Sequence, residues 1–272
     1  MDLKMESTIT LNNGNKIPVI GLGLFQTESG QTAKQATLWA LEAGYRHLDT
    51  AAMYANEKDV GIAIAESKIP REDIFITTKI WNTGKFIANG YESTLKAADT
   101  SLKNLQSGYI DLLLLHSPLP GPQKRAESYK ALQELVKRGL VKSIGVSNYG
   151  VKHLQELLDS NPEIKPAVNQ IHPWLTRSDI VSFCNKHNIV VEAYSPLTRG
   201  KKLNDPILTG IANKYGKTPA QILVRWGLQH NFVILPKSTK LERIIENANV
   251  FDFEIKKSDM ETLDAWDPTV AE

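Results

Sequence analysis

The sequence predicts an α/β fold of the (β/α)₈ barrel type, a closed ring of eight parallel strands that alternate with helices. A strand-like run followed by a helix-patterned stretch recurs eight times between Ile20 and about Asn249, which is the number of units that this barrel needs. The chain has 272 residues, a length typical of the fold. Because no linker or low-complexity segment divides the chain, we expect one domain over residues 1–272.

The eight predicted strands are short apolar runs, and several are rich in β-branched residues, as buried parallel strands tend to be. They are Ile20–Gly23, Arg46–Asp49, Ile74–Lys79, Ile110–His116, Lys142–Ser147, Ala167–Gln170, Ile189–Ala193 and Phe232–Leu235. Helical patterns between them include Thr32–Ala43, Tyr91–Leu105, Ala126–Lys137, Val151–Leu158 and Ile180–Lys186. An open, doubly wound sheet is the alternative, and the count of eight favours the barrel.

Two predicted elements lie outside this alternation. Thr8–Leu11 and Lys16–Val19 flank Asn13-Gly14, a dipeptide typical of a tight β-hairpin turn. Near the other end, Ser258 to Trp266 has the pattern of an additional helix, with Ser258 as its expected N-cap. We therefore expect a β-hairpin before the barrel and an extra helix after it.

Composition excludes several classes of protein. The net charge is only +2, with 42% hydrophobic and 23% charged residues, so nucleic acid and anionic membranes are not expected partners. No apolar run approaches the roughly 20 residues of a membrane helix, and the first residues lack the order of a signal peptide. Cys184 is the only cysteine, which excludes an internal disulfide, and no metal site is predicted. We expect a soluble cytoplasmic protein, a monomer by default.

Four polar side chains follow three consecutive predicted strands. Asp49 and Tyr54 come after the second strand, Lys79 ends the third, and His116 ends the fourth. Because the C-terminal ends of parallel barrel strands open onto one face, we expect these groups to converge. Any one of them alone would be an ordinary loop residue, and the prediction of a proton-transfer site depends on their coincidence.

The chemistry of this group suits the reduction of a carbonyl. A tyrosine has an ordinary pKa near 10, and an adjacent ammonium, here Lys79, is expected to lower the pKa of Tyr54. Asp49 would hold Lys79 charged, Tyr54 would act as general acid, and His116 would orient the carbonyl oxygen. No activated nucleophile is evident, which argues against covalent acyl or glycosyl transfer.

Glycoside hydrolysis by paired carboxylates is a weaker alternative. Besides Asp49, the candidates are Asp111 and Glu192. Asp111 begins its strand and should face the bottom of the barrel. Glu192 lies inside an apolar strand, where a structural ion pair is the expected role.

Several motifs resemble those of the aldo-keto reductase family, in the expected order from about Thr8 to Asp267. The three signature segments are Gly44–Tyr54 with Asn56-Glu57 and Val60-Gly61, Leu105 with Tyr109–His116 and Pro118, and Leu235–Thr239 with Arg243 and Glu246-Asn247. Intermediate matches are Gly145–Asn148, Val168–Gln170 and Ala193–Leu197. The resemblance implies a (β/α)₈ barrel, NADPH as cofactor, and Asp49, Tyr54, Lys79 and His116 as the catalytic set.

The same resemblance implies the cofactor contacts. Ser147, Asn148 and Gln170 would hold the nicotinamide carboxamide, and Tyr194 would stack on the nicotinamide ring. Ser195, Leu197, Lys237, Ser238, Thr239 and Arg243 would line the phosphates, with Glu246 and Asn247 near the adenine. The remaining implied contacts are Gly23, Leu24 and Asp49.

The residues themselves indicate a phosphate site, although a Rossmann fingerprint is absent. Gly21-Leu-Gly23 is a lone GxG with Gln26 where a third glycine would stand, and alone it indicates a tight turn. Lys237–Thr239 follows the eighth strand and is expected to open a helix, where backbone N–H groups favour anions. Arg243 lies one turn further on. Two cations favour NADPH over NADH, and a solvated basic helix start is the alternative.

Departures from the family pattern concern the substrate pocket, for which Phe25, Tyr54, His116 and Ser117 are the expected residues. Phe25 and Ser117 stand where relatives often carry larger aromatic residues, Leu24 replaces a usual Thr, and the stretch from Gln170 to Pro173 is about two residues short. The loops Ser117–Arg125 and Thr198–Asp205, and the tail past Asp267, are also short. Because loops determine specificity on this scaffold, we expect an open pocket and a broad range of carbonyls.

Two other functions stay open. Channel-associated relatives suggest a cofactor-sensing binding subunit, which is disfavoured by the intact catalytic set and the absence of their N-terminal extension. Physiological oxidation of an alcohol or sugar with NADP⁺ would use the same residues.

Overall fold

A computed structural model of the protein describes residues 3–81, 89–173 and 178–266. Eight parallel strands form one sheet in chain order, and a bridge between Ile20 and Ile234 joins its two edges. The strands are β3 Leu22–Gly23, β4 His47–Asp49, β5 Phe75–Ile80, β6 Ile110–Leu115, β7 Val141–Ser147, β8 Val168–Ile171, β9 Val190–Tyr194 and β10 Val233–Leu235. The predicted barrel is confirmed, and the doubly wound alternative is wrong.

Helices follow the strands around the barrel, and each of the five predicted ones is present with small shifts at its ends. They are α1 Gln31–Glu42, α2 Glu57–Ser67, α3 Tyr91–Leu105, α4 Pro122–Lys137, α5 Val151–Asp159, α6 Ser178–Lys186, α7 Pro206–Tyr215, α8 Pro219–Gln229, α9 Leu241–Ala248 and α10 Lys257–Asp264. Short 3₁₀ turns span Ala52–Tyr54, Arg71–Asp73 and Thr198–Gly200. In the described part of the chain, no helix has the length and apolar character needed to cross a membrane.

The predicted hairpin is confirmed and closes the N-terminal end of the barrel. Strands β1 (Thr8–Thr10) and β2 (Lys16–Pro18) pair antiparallel, and Ile17 packs fully buried against interior residues such as Phe75 and Leu112. The turn is fixed by side chains, since Asn13 Nδ2 donates to the Lys142 carbonyl at 3.1 Å. Solvent is thereby kept from the lower barrel interior.

The C-terminal helix α10 is also confirmed, but Ser258 is not its N-cap. The helix begins at Lys257, with Lys256 in the cap position and no side chain among the described residues capping it. Instead, the Tyr215 hydroxyl accepts the Lys256 N–H at 2.8 Å and donates to Asp259 at 2.8 Å. A tertiary contact from α7 therefore replaces the local cap that the sequence suggested.

Gly21 creates space inside the barrel. A methyl group on Gly21 would lie 2.7 Å from Cγ of the His47 ring and 2.9 Å from Cδ2 of Leu235, which is closer than packed atoms approach. The absence of a side chain at Gly21 therefore admits the His47 imidazole to the interior. The sequence indicated a tight turn at the GxG motif, but the structural reason for Gly21 is the space that His47 and Leu235 occupy.

We predict that Gly21→Ala destabilises the fold by about 1–3 kcal/mol, because it overpacks a filled interior. Gly210→Ala is the matched control, since Gly210 lies in α7 and no described atom lies within 4 Å of an added methyl group. That variant should stabilise the protein by about 0.5–1 kcal/mol, the usual gain of alanine over glycine in a helix. Urea unfolding measures both, and equal stabilities of Gly21→Ala and wild type would contradict the packing argument.

Candidate active site

The four predicted groups meet at the C-terminal end of the barrel. Asp49 is the last residue of β4, Tyr54 ends the following 3₁₀ turn, Lys79 lies in β5, and His116 follows β6. The Lys79 ammonium donates to the two Asp49 carboxylate oxygens at 2.7 and 2.8 Å and to the Thr50 carbonyl at 2.9 Å. Its Nζ lies 3.4 Å from the Tyr54 hydroxyl. The convergence expected from the strand ends is present.

Lys79 is fully buried, and its surroundings favour the charged form. Burial lowers the pKa of Lys79, but Asp49 and Tyr54 raise it by more, and the net pKa lies above its ordinary value. Burial also raises the pKa of Asp49, against the opposing effects of the Lys79 ammonium and the Gln170 amide. The two residues form a buried ion pair whose hydrogen bonds fix the ammonium beside Tyr54.

The expected net lowering of the Tyr54 pKa is wrong. Burial raises the pKa of Tyr54, and the charge of Lys79 offsets this only in part. The expected effect of Lys79 is therefore present, but desolvation of the phenol outweighs it. As a consequence Tyr54 is protonated at neutral pH, which is the state that a proton donor needs.

His116 is a neutral imidazole at neutral pH. Burial and the nearby Lys79 charge lower the pKa of His116 to about 3. Its ring meets Tyr54 edge to face at 5.7 Å between centroids, and Trp81 at 5.0 Å. Among the described residues Nδ1 of His116 has no hydrogen-bond partner. A neutral ring can donate one N–H to an oxygen that approaches Tyr54.

The loop that carries Phe25 is held by Asn56, a residue for which no role was predicted. The buried Asn56 accepts from Thr50 Oγ1 at 2.6 Å and donates to the carbonyls of Leu24 and Thr27, both at 3.1 Å. These contacts fix the loop after β3 against the turn that presents Tyr54. Asn56 stands in the first family-like segment, so the motif contained a signal for it.

A polar cluster lies across the cavity from Tyr54, at the ends of β7, β8 and β9. Asn148, in a left-handed backbone conformation, accepts from the Tyr194 hydroxyl at 3.0 Å and donates to the His116 carbonyl at 3.1 Å. The Ser147 hydroxyl donates to the Gln170 carbonyl at 3.0 Å. Sequence reasoning grouped these residues through the family resemblance, and they do face one cavity.

Beneath this cluster, Glu192 has a structural partner as expected, but burial opposes the charges that an ion pair needs. Glu192 is fully buried in β9, and its Oε1 lies 3.4 Å from Nε2 of His47, also fully buried. Burial and the Asp49 charge raise the pKa of Glu192 to about 8, and burial lowers the pKa of His47 to about 3. Burial thus favours the uncharged form of both groups, because neither finds the solvation that charge requires.

Asp111 is placed as predicted, away from the cavity and near the N-terminal end of the barrel. Its carboxylate accepts from Arg71 Nη2 at 2.6 Å and from the Ile76 N–H at 2.9 Å. The separation of Asp111 from Asp49 along the barrel removes the structural basis for a pair of hydrolytic carboxylates.

The cavity extends from Tyr54 toward β10 and α9 and has a volume of about 1280 Å³. At its far end lie the predicted cofactor contacts Ser195, Leu197, Lys237, Ser238, Thr239, Arg243, Glu246 and Asn247, and Gly23 lies nearer to Tyr54. Leu24 is the exception, because its side chain is fully buried in the hydrophobic core and does not line the cavity. The helix α9 begins at Leu241, slightly later than expected.

The wall around Tyr54 contains more residues than the sequence predicted. Phe25, His116 and Ser117 line it, as expected, and Phe25 lies 5.1 Å from the Tyr54 ring. Trp81, Met53 and Leu119 also line it, and sequence reasoning missed them. Trp81 places an aromatic ring against His116. Ser117, which follows His116 in the chain, has no aromatic ring. The tail past Asp267, which entered the pocket prediction, lies outside the described residues.

Comparisons with known proteins agree with this geometry. The model of the Aldo/keto reductase family matches residues 19–268. A glyoxal reductase of Bacillus subtilis is 46% identical over 267 residues, which cover 97% of this chain and 94% of that protein.

Two solved structures share the fold. An aldo/keto reductase of Brucella melitensis has a TM-score of 0.89 at 44% identity, covering 95% of this chain and 98% of the other. An aldo-keto reductase of Bombyx mori in complex with NADP has a TM-score of 0.88 at 36% identity, covering 97% of this chain and 93% of the other. The resemblance inferred from the motifs is confirmed: the chain belongs to the aldo/keto reductase family of oxidoreductases, which act on carbonyl groups.

Proposed function

We propose that this protein reduces aldehydes and ketones to alcohols with NADPH, and that Tyr54 donates the proton. The observation that carries the proposal is the Tyr54 hydroxyl, held 3.4 Å from a buried ammonium in a cavity that continues to two cations. A binding role alone would not require a protonated phenol, a neutral imidazole and a buried ion pair around one point.

The lining of the cavity fits a nicotinamide dinucleotide. Its volume, about 1280 Å³, exceeds the roughly 300–1,000 Å³ of ordinary ligand pockets and leaves room for cofactor and substrate together. Ser147, Asn148 and Gln170 supply amide and hydroxyl groups near Tyr54 for a carboxamide. Tyr194 offers an aromatic face between them and the phosphate end.

The chemistry divides between cofactor and protein. When bound, NADPH supplies a hydride to the carbonyl carbon. Tyr54 donates its proton to the oxygen that gains negative charge, and the Lys79 ammonium stabilises the phenolate that remains. His116 donates its single N–H to the same oxygen and thereby aligns the carbonyl.

The phosphate end favours NADPH over NADH. Lys237 and Arg243 line the same end of the cavity, and partial burial lowers the pKa of Lys237. Partial desolvation strengthens the attraction between a cation and a bound phosphate. Two cations here match the additional phosphate of NADPH.

The cavity wall near Tyr54 is open to solvent, and we therefore expect a broad range of carbonyl substrates. Met53 and Leu119 line the cavity with 45% and 74% of their surfaces exposed, so the mouth is apolar and little enclosed. The relative from Bacillus subtilis is named a glyoxal reductase, which makes small dicarbonyls natural members of the test panel. NADPH consumption with glyoxal, aromatic aldehydes and α-keto esters tests this range, and activity confined to one small substrate would contradict it.

We predict that Tyr54→Phe lowers kcat by about 10²–10⁴-fold, the usual contribution of a general acid, with NADPH affinity little changed. Steady-state kinetics and fluorescence titration with NADPH measure the two effects. Tyr129→Phe is the matched control, because Tyr129 is also buried but donates to the Ile164 carbonyl, remote from the cavity. Wild-type turnover in Tyr54→Phe would overturn the assignment of the proton donor.

We predict that Arg243→Leu weakens NADPH binding by about 10–100-fold, the effect of losing a charge-assisted hydrogen bond. NADH binding should change little, so the ratio of the two dissociation constants is the measurement. Lys257→Leu is the control, since Lys257 is exposed in α10 and does not line the cavity. An equal loss for both cofactors would place the additional phosphate elsewhere.

We predict no break near the ordinary histidine value of about pH 6.5 in the pH profile of kcat/KM. His116 has a pKa of about 3, so its imidazole stays neutral from mildly acidic to alkaline solution. His116→Gln, whose side chain can also donate an N–H, should give a profile of the same shape at a lower rate. A break in the wild-type profile that His116→Gln removes would show that the imidazole is charged.

A further inference from the structure

A buried carboxyl group lies one layer below the catalytic face and is not needed for proton donation. Glu192 is fully buried in β9 and does not line the cavity. Its Oε2 accepts a hydrogen bond from Gln170 Nε2 at 2.7 Å. Burying such a group is costly unless its polar atoms are hydrogen-bonded.

Gln170 links Glu192 to the catalytic ion pair. Its amide nitrogen donates to Glu192 and also to Asp49 Oδ2 at 2.8 Å. A primary amide has two N–H donors, so both are directed at carboxyl groups. The opposite flip would place the amide oxygen against the Asp49 carboxylate, which can only accept, and would remove the N–H that Glu192 Oε2 accepts. These two contacts therefore fix the orientation of the amide.

The fixed orientation determines what Gln170 offers a ligand. Both N–H groups of the Gln170 amide are bonded to carboxyl groups. The amide oxygen is therefore the atom of this side chain that remains to bind a ligand. Gln170 lines the cavity beside Ser147 and Asn148. An amide oxygen at this place accepts a hydrogen bond from a ligand that carries an N–H, such as a primary carboxamide.

The charges around Glu192 favour its neutral form. The titratable groups that face it are His47 and Asp49 from β4 and Lys79 from β5. Among these described groups Lys79 is the only cation, because His47 is uncharged, and its ammonium is already bonded to Asp49. A second negative charge beside Asp49 would be uncompensated, since like charges at short range disfavour ionisation of both.

We propose that Glu192, as an unionised carboxylic acid, positions Gln170 so that its amide oxygen receives the carboxamide N–H of the nicotinamide cofactor. Glu192 is a positioning residue, because it acts through Gln170 and does not contact the cofactor. Its neutrality also leaves Asp49 as the single carboxylate paired with Lys79. The inference rests on the proposed function, since it assigns a role toward the same cofactor.

Glu192→Gln and Glu192→Ala separate this role from simple packing. In Glu192→Gln the new amide carbonyl can accept from Gln170, and the new amide N–H can approach His47, so this variant reproduces the neutral acid. We expect NADPH affinity within about twofold of wild type for Glu192→Gln and about tenfold weaker for Glu192→Ala, the loss of roughly one hydrogen bond. Equal losses in both variants would overturn the requirement for a neutral group.

A cofactor analogue provides a readout that damaged packing would not change. The 3-acetylpyridine analogue of NADPH has a methyl ketone in place of the carboxamide and therefore no N–H. Wild type should prefer NADPH over the analogue, and Glu192→Ala should reduce that preference about tenfold. Glu57→Ala is the matched control, because Glu57 is a buried carboxylate that accepts from Thr78 Oγ1 at 2.7 Å, outside the cavity. An unchanged preference in Glu192→Ala would overturn the proposal.

The pH dependence of binding tests the charge state without a destabilising variant. The pKa of about 8 predicts that Glu192 ionises in alkaline solution and disturbs Gln170 and Asp49. NADPH affinity of wild type should then fall relative to that of Glu192→Gln above about pH 8. The same pH dependence of NADPH affinity in both proteins would contradict the proposal.

Failure of wild type to bind or oxidise NADPH would refute the proposed function itself, whereas these comparisons between variants refute only the role of Glu192.

Discussion

The buried ion pair of Lys79 and Asp49 is the interaction on which the site depends. Removing one partner of such a pair leaves an uncompensated buried charge and typically costs about 3–5 kcal/mol. The geometry around the pair reflects this cost, because carbonyl, hydroxyl and amide groups complete its hydrogen bonds. The carbonyl and the hydroxyl belong to residues that follow β4, and the amide belongs to a residue of β8, so the barrel supplies a rigid frame in which a charge can be kept away from water.

The interior of the barrel is divided accordingly into two layers. Near the hairpin it is apolar, with Ile17, Phe75 and Leu112 packed together, and toward the cavity it is polar. The apolar layer excludes water from below, and the resulting desolvation raises the pKa of the carboxyl and phenol groups above it. A protonated Tyr54 and an uncharged Glu192 are therefore consequences of the same dry interior, and the hairpin that closes the barrel contributes to both.

Much of the fold could be predicted from the sequence because parallel strands and amphipathic helices have local periodic patterns. The convergence of the four catalytic side chains could be predicted from their positions at the ends of consecutive strands. Two features that escaped prediction depend on contacts remote in sequence: the tertiary hydrogen bond of Tyr215 that replaces Ser258 as a cap, and the position of Trp81 beside His116. The helices α7 and α8 had local signals, since Asp205 and Thr218 cap helices that begin with proline.

The net pKa of a buried group is the property that sequence reasoning predicts least well. The effect of a neighbouring charge on Tyr54 was foreseen from residue types, but the opposing effect of burial depends on how completely the surrounding strands exclude water. Glu192 shows the same limit, since an acidic residue in an apolar strand suggests an ion pair when no partner is known. Only its complete burial and the nearby Asp49 charge indicate that the carboxyl group can remain protonated, and hence that it can orient an amide without competing with Asp49 for the charge of Lys79.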